Sequence, residues 1–231
     1  MAMEDYSLEG DLAVELNSGL KKLNIPASET QVSQLLALLE SLYKWNKAYN
    51  LTAIKQPKEG LSLHILDSLT LYARFQALAD ECDSIDLSPQ DLEVLDVGTG
   101  PGFPGLPLAI FFPKLKFSLL DSNSKKIRFI RQVIHQLGLK NVEPIHARVE
   151  SLINRKFDVI TSRAFASIND MLELTTALIA EKGVWLAMKG DFSQDEISTL
   201  PANIVSQSIT PVKIPEVYAD RCIVELHLSK A

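Results

Sequence analysis

The sequence predicts an α/β fold: a seven-stranded, mostly parallel sheet with helices on both faces, an antiparallel hairpin at its C-terminal end and a helical extension before it. Three observations lead there. Apolar spacing is helical through the first ninety residues and shortens to strand-length runs from Leu92 onward. Beyond Leu92, strands and helices alternate with short connections, which builds parallel strands covered on both faces. The last two strand-like stretches are joined by a turn-rich segment and can pair antiparallel. With 231 residues, 46% hydrophobic and 23% charged, the chain has the composition of one globular domain with an extension. Residues 1–90 read as the extension and 91–231 as the domain.

A first helix over Leu8–Leu23 stops before Asn24-Ile25-Pro26. A stronger one carries Val32, Leu35, Leu36, Leu39, Leu42 and Tyr43 at three- and four-residue steps, with Ser28 as N-cap before Gln31. A third, Leu63–Leu78, sets His64, Asp67 and Arg74 into an apolar pattern, and Asp80–Asp91 reads as a linker. Glu93–Val97 is the first strand. It runs into Gly98-Thr99-Gly100-Pro101-Gly102-Phe103-Pro104-Gly105, followed by the helix Leu106–Phe112, where Pro104 is tolerated because the first helical turn has no use for its missing N–H. Phe117–Leu120 closes on Asp121, Ser124 caps the helix Lys125–Leu137, and Gly138 ends it. Val142–His146 and Phe157–Thr161 follow as strands, Asn169–Ala180 as a helix and Val184–Met188 as the fifth strand. A short helix near Gln194–Leu200 leads to the closing pair, Ile204–Ile214 and Cys222–Leu228.

No apolar run reaches the roughly 18–20 residues that cross a bilayer, and Met1–Gly10 carries three acids and no basic region, so neither a span nor a secretory leader is expected. Cys82 and Cys222 give no disulfide framework and no metal spacing; both read as small buried hydrophobes, and no metal is expected. The chain is read as a cytoplasmic monomer. Its formal charge of −6 argues against gripping naked nucleic acid by bulk electrostatics, yet it divides into −6 over residues 1–90, +3 over 91–190 and −3 over 191–231. Positive side chains bunch at Lys125, Lys126, Arg128 and Arg131, then at Arg148, Arg155, Lys156 and Arg163. A solvated helix face and a polyanion-binding face both fit the first four.

A strand that stops at glycines and hands over to a helix turns backbone amides and a helix N-terminus toward a ligand. Gly100-Pro101-Gly102-Phe103-Pro104-Gly105 satisfies G-x-G-x-x-G, with Asp121 about 20 residues on, as a dinucleotide site expects. Three features favour S-adenosyl-L-methionine instead. Asp96 before the glycines would oppose a pyrophosphate, whereas a sulfonium amino acid tolerates a carboxylate nearby. Asp121 can accept both hydroxyls of an adenosyl ribose. The chain closes with a hairpin rather than a second mononucleotide-binding half. Asp96 itself is either a near-site residue or a carboxylate that only caps loop amides.

Six ordered stretches resemble the bacterial small-subunit (16S) ribosomal RNA guanine-N7 methyltransferases, formerly called glucose-inhibited division protein B. They are Asn46-Lys47-Ala48-Tyr49-Asn50-Leu51-Thr52, His64-Ile65-Leu66-Asp67-Ser68, Asp96 to Gly105, Leu119-Leu120-Asp121-Ser122, Arg148-Val149-Glu150 and Ser162-Arg163-Ala164-Phe165-Ala166. The resemblance is dense over residues 40–190 and implies the Rossmann-like fold of class I S-adenosylmethionine-dependent methyltransferases. It implies Gly98, Phe103, Val149, Glu150 and Arg163 as cofactor contacts, beside Gly100 and Asp121 already read from the loop and the strand tip, and 16S ribosomal RNA as the partner, which the acidic charge places within a ribosomal particle. The implied acceptor, guanine N7, carries a lone pair and no proton, so the protein must supply position rather than a base. An Arg or Lys donor to the neighbouring O6 would orient the ring.

Arg163 is the candidate for that donor, or for a phosphate; an ion pair with a crevice carboxylate is the other reading. Lys189, at the end of the fifth strand, is an RNA contact or a surface lysine. Asn50, His64 and Asp67 are candidates for the substrate face, although a lone histidine on an apolar helix is usually a hydrogen-bonded structural residue. Phe165 is a base-stacking ring or a core aromatic. A methyltransferase with another substrate, a nucleotide-sensing module without turnover and a dinucleotide oxidoreductase are the competing functions. So acidic a chain should bind free RNA poorly and favour a folded ribonucleoprotein.

Overall fold

The computed structural model describes residues 4–84, 92–163, 165, 167–190, 196 and 198–229. Helix α1 (Glu4–Lys22) begins earlier than its apolar pattern predicts and turns Leu16 and Leu20 inward. Helix α2 (Glu29–Tyr49) starts at the predicted Ser28. The Ser28 hydroxyl accepts the Gln31 N–H at 3.3 Å while the Gln31 side chain accepts the Ser28 N–H at 2.9 Å, a capping box. The predicted third helix is not one rod. A short α3 (Pro57–Gly60) precedes it, and the predicted span divides among a π-helical turn (Leu61–Leu66), α4 (Asp67–Leu69) and α5 (Tyr72–Ser84), so the head of the expected linker is helical. Residues 85–91, with the expected domain boundary, lie outside the described set.

The sheet runs β1 (Glu93–Val97), β2 (Lys116–Asp121), β3 (Val142–His146), β4 (Phe157–Ser162), β5 (Ile179–Lys189), β6 (Ile204–Val212) and β7 (Arg221–Leu228), in spatial order 3-2-1-4-5-7-6. Strands β1 to β5 pair parallel and β7 pairs antiparallel to both β5 and β6, the predicted closing hairpin. Helix α6 (Gly105–Phe111) follows β1, α7 (Ser124–Leu137) follows β2, and α8 (Ile168–Thr175) precedes β5. Two further boundaries differ from expectation for a visible reason. Asn123, not Ser124, caps α7, its side chain accepting the Lys125 N–H at 2.9 Å. The helix expected over Asn169–Ala180 ends at Thr175, because Ile179 is drawn into the sheet opposite Phe157 of β4. The helix expected near Gln194–Leu200 falls largely on residues outside the described set.

Alternate strand residues feed two cores. Leu95, Val97, Leu120, Ile160 and Trp185 join Met171 and Leu172 of α8 on one face. Val94, Phe117, Leu119, Val159 and Leu186 face the other way, into a core that also holds Phe103, α6, Ile127, Phe129 and Ile130 of α7, and the leucines of α1 to α4. Arg74 clamps α5 to β7 through a two-pronged pair with Glu225, both contacts at 2.9 Å. The extension and the sheet therefore share one interior, and Leu63, His64 and Asp67 of the extension meet Arg163 just beyond the C-terminal end of β4.

Candidate active site

Where β1 ends, Gly98, Gly100 and Gly102 all adopt positive φ, which a side chain would strain. Their neighbours separate two uses of glycine. A Cβ on Gly102 would collide with Leu106 and one on Gly105 with Leu119, so these two are small to let helix and sheet close. At Gly100 a Cβ would meet nothing nearer than the Lys126 ammonium at 4.0 Å, which leaves open space beside the loop for a ligand. Asp96 is fully buried beneath it. Its Oδ2 accepts the Thr99 hydroxyl at 2.6 Å and the Gly105 N–H at 2.9 Å, while Oδ1 is buried without a protein partner. Burial pushes its pKa up to about 6, against the pull of those two hydrogen bonds.

At the end of β2, Asp121 uses both oxygens on backbone. Oδ2 accepts the Gly100 N–H at 2.9 Å, Oδ1 accepts the Asn123 N–H at 2.7 Å, and Lys126 stands 3.6 Å away. The carboxylate thus ties the glycine loop to the second strand, and each oxygen keeps a lone pair for a further donor. Val149 and Glu150 form a 3₁₀ turn beyond β3, Val149 half-buried against the α8-side core and Glu150 exposed. Phe103 is buried: its ring stacks on His64, centroids 4.8 Å apart, and its N–H donates to the Thr99 carbonyl at 2.9 Å. What it gives the crevice is a wall between loop and extension.

A cavity of about 340 Å³ opens beside this wall, lined by Ile54, Leu63 and His64 from the extension, Arg163 after β4, Met188 and Lys189 of β5, and Arg221 of β7. Arg163 donates to Asp67 Oδ2 at 2.8 Å and to the Leu63 carbonyl at 2.7 Å, and lies 5.9 Å above the Phe103 ring. Arg221 approaches the other Asp67 oxygen at 4.0 Å. The ion-pair reading of Arg163 is therefore the one observed, and Asp67 is its carboxylate. His64 bonds Thr52 Oγ1 through Nε2 at 2.9 Å and faces Arg163 through Nδ1 at 3.4 Å; a neutral ring with its proton on Nε2 satisfies both. Burial, helped by the Arg163 charge, lowers its pKa to about 3. Thr52 is set in turn by Asn46, whose side-chain oxygen accepts the Thr52 N–H at 2.9 Å.

The structure brings His64, Asp67, Arg163 and Lys189 to one cavity. Lys189 is paired with Glu196 at 3.4 Å. Asn50 stays apart: it is exposed, ends α2 in the left-handed conformation with φ 51, and donates its N–H to the Asn46 carbonyl. Phe165 packs against the α8-side core and Cys222 is buried; the Cys82 side chain is outside the described set. Sequence reasoning missed Asn46, Thr52 and Arg221. The first two lie in a stretch already singled out, but Arg221 reaches the crevice only through the pairing of Lys189 with Cys222 across β5 and β7, which no local pattern announces.

A 3-2-1-4-5-7-6 sheet, a glycine loop after β1 and a carboxylate closing β2 define a Rossmann-like methyltransferase of the S-adenosylmethionine-dependent class. Comparison with known proteins narrows this. The family model for rRNA small subunit methyltransferase G matches residues 31–224, and the chain belongs to that family. Ribosomal RNA small subunit methyltransferase G of Idiomarina loihiensis is 46% identical over 213 residues, covering 91% of this chain and 96% of its own. That of Methylibium petroleiphilum is 43% identical over 218 residues, 94% of each. TrmN from Thermus thermophilus, 20% identical, superimposes with a TM-score of 0.51 over 71% of this chain and 53% of its own, which shows the shared fold. The cofactor is S-adenosyl-L-methionine. The open space at Gly100 and the orphaned Asp96 Oδ1 fit an adenosyl amino acid carrying a cationic amine.

Proposed function

We propose that this protein transfers the methyl group of S-adenosylmethionine to N7 of one guanosine in the 16S RNA of the small ribosomal subunit. The observation favouring N7 over an exocyclic amine is that none of the titratable groups singled out in the cavity is a free base. His64 is held neutral down to about pH 3 with both ring nitrogens engaged, and Asp67 is committed to two guanidiniums. A lone-pair nucleophile without a proton needs no acceptor. Such a site works by alignment, which can be worth roughly 7–11 kcal/mol.

When bound, S-adenosylmethionine supplies an electrophilic methyl carbon on a sulfonium. Gly98 and Gly100 let it approach the loop, Asp96 Oδ1 takes its amine, Asp121 its ribose, and Val149 with Glu150 its base. Arg163, fixed by Asp67 and the Leu63 carbonyl, and Lys189 face the incoming guanine as O6 or phosphate donors. His64 sets the Arg163 fork, and Asn50 holds the turn leading to Thr52. The substrate is folded RNA in an assembling particle, met in the cytoplasm by a single chain.

Incubation with tritiated S-adenosylmethionine and undermethylated small subunits tests this. Label on one guanosine, with chain cleavage at that position under 7-methylguanosine chemistry, is the expected result. Label on an exocyclic amine, or in no ribosomal RNA, would overturn it. Equal rates on protein-free 16S RNA would remove the particle.

A further inference from the structure

Residues 41–57 and 122–142 hold eight of the chain's 23 lysines and arginines and none of its 29 aspartates and glutamates. Distant in sequence, they lie side by side. The Trp45 and Phe129 rings meet at 5.8 Å, and the Ser41 hydroxyl donates to the Gln136 side chain at 2.9 Å. Because α7 buries Ile127, Phe129, Ile130 and Val133, its Lys125, Arg128 and Arg131 are left exposed, and Lys44 and Lys47 are exposed on the last turns of α2. None of these five has a carboxylate partner among the described residues; Lys126 alone of the α7 cations turns to one, Asp121. Elsewhere among the described residues exposed cations occur both matched, as Lys22 with Glu216 and Lys116 with Glu93, and unmatched, as Lys114, Arg148, Lys182 and Lys213, so what sets this face apart is the absence of any acid from its two segments.

Ordinary soluble surfaces intersperse both signs. In a chain of net charge −6, a face that excludes every acid is a local field of the opposite sign, suited to a polyanion. It also abuts the crevice. Beyond α2 the chain passes through Thr52, bonded to His64, to Ile54 on the cavity wall, and α7 starts directly after Asp121 and its neighbours.

We infer that the acid-free face made by the end of α2 and by α7 is where folded ribosomal RNA lays its phosphate backbone while the target base enters the adjoining crevice. This rests on the function proposed above. The acidic remainder of the surface repels RNA laid elsewhere, so the face sets orientation as well as affinity.

The test compares wild-type protein with K44Q/K47Q, R128Q/R131Q and a control, K182Q/K213Q, whose lysines are exposed on β5 and just after β6. KM for undermethylated subunits is measured across a salt series, alongside kcat, melting temperature and S-adenosylmethionine affinity. Each test pair should raise KM and lower the slope of log KM against log salt by about 2, one per lost phosphate contact. The control should match wild type, and the other three quantities should hold. Unchanged KM and slope in both test pairs would overturn the surface, as would an equal loss in the control. Loss of binding to anionic phospholipid vesicles with rRNA kinetics intact would reassign the face to a membrane and overturn it too. Wild-type protein that labels no rRNA removes function and surface together; active wild type with unaffected variants removes the surface alone.

Discussion

His64 and Asp96 are buried ionisable groups shifted in opposite senses, and stability against pH should separate them. His64 titrates near 6.5 in an unfolded chain and at about 3 here, so below pH 6.5 the unfolded chain takes up a proton that the folded one refuses. Its contribution is complete above that pH and drains away as pH falls toward 3. Asp96 goes the other way. Its ordinary value is 3.8 and its folded value about 6, so the folded chain takes up the proton first. That contribution is complete below 3.8 and lost as pH rises through 6. Melting temperatures from pH 8 to pH 4.5 should therefore fall less steeply in His64→Gln than in wild type and more steeply in Asp96→Asn. Parallel curves for all three proteins would show that neither shift exists. The same geometry explains why a histidine inside an apolar pattern was hard to read. His64 is a satisfied structural residue and a wall of the cavity at once, and only the positions of Thr52 and Arg163 reveal both roles.

The glycine loop was the most legible element, because a strand ending in three positive-φ glycines is a local constraint that the residues themselves impose. Which glycine serves the ligand was not legible, since it depends on Leu106 and Leu119. That division gives an element-scale prediction. Gly105→Ala drives a methyl into Leu119 and to 2.9 Å from Asp96 Oδ2, so it should destabilise by about 1–3 kcal/mol as overpacking does. Gly100→Ala meets no collision and carries only the strain of its positive φ, on the order of 1–2 kcal/mol, yet fills the space beside the loop. Its affinity for S-adenosylmethionine should drop at least tenfold by calorimetry. Equal affinity losses in the two variants at a temperature where both are folded would refute the division. Strand and helix order was likewise readable from period, whereas the misread boundaries were decided by tertiary pairing. Leu178 and Ile179 continue an apolar helix pattern until β4 offers Phe157 as a partner. The break at residues 70–71 likewise interrupts an apolar spacing that ran on in sequence. Arg221 belongs to the same class, placed by a strand pairing that spans the fold.

At the scale of the molecule, the helical extension completes the interior as well as the crevice. Leu35, Leu38, Leu39, Leu42, Leu61, Ile65, Leu66 and Phe75 are all buried in the core that holds Phe103, Phe111, Phe117 and Phe129 of the sheet side. Each such side chain contributes about 1.5–3 kcal/mol when buried, against a net domain stability typically of about 5–15 kcal/mol, so stripping away even a few partners is enough to abolish the specific, cooperative packing of what remains. The clamp from Arg74 to Glu225 would go with them and leave a carboxylate that is 10% exposed without its cation. A chain reduced to residues 92–231 should therefore retain strand and helix content by circular dichroism, but bind a hydrophobic dye and melt without a cooperative transition. The full chain should melt in one step. If the shortened chain instead melts sharply, stays monodisperse and binds S-adenosylmethionine, the extension is a separable substrate module. The wall formed by Phe103 and His64 would then be an interface between two folding units rather than part of a single core.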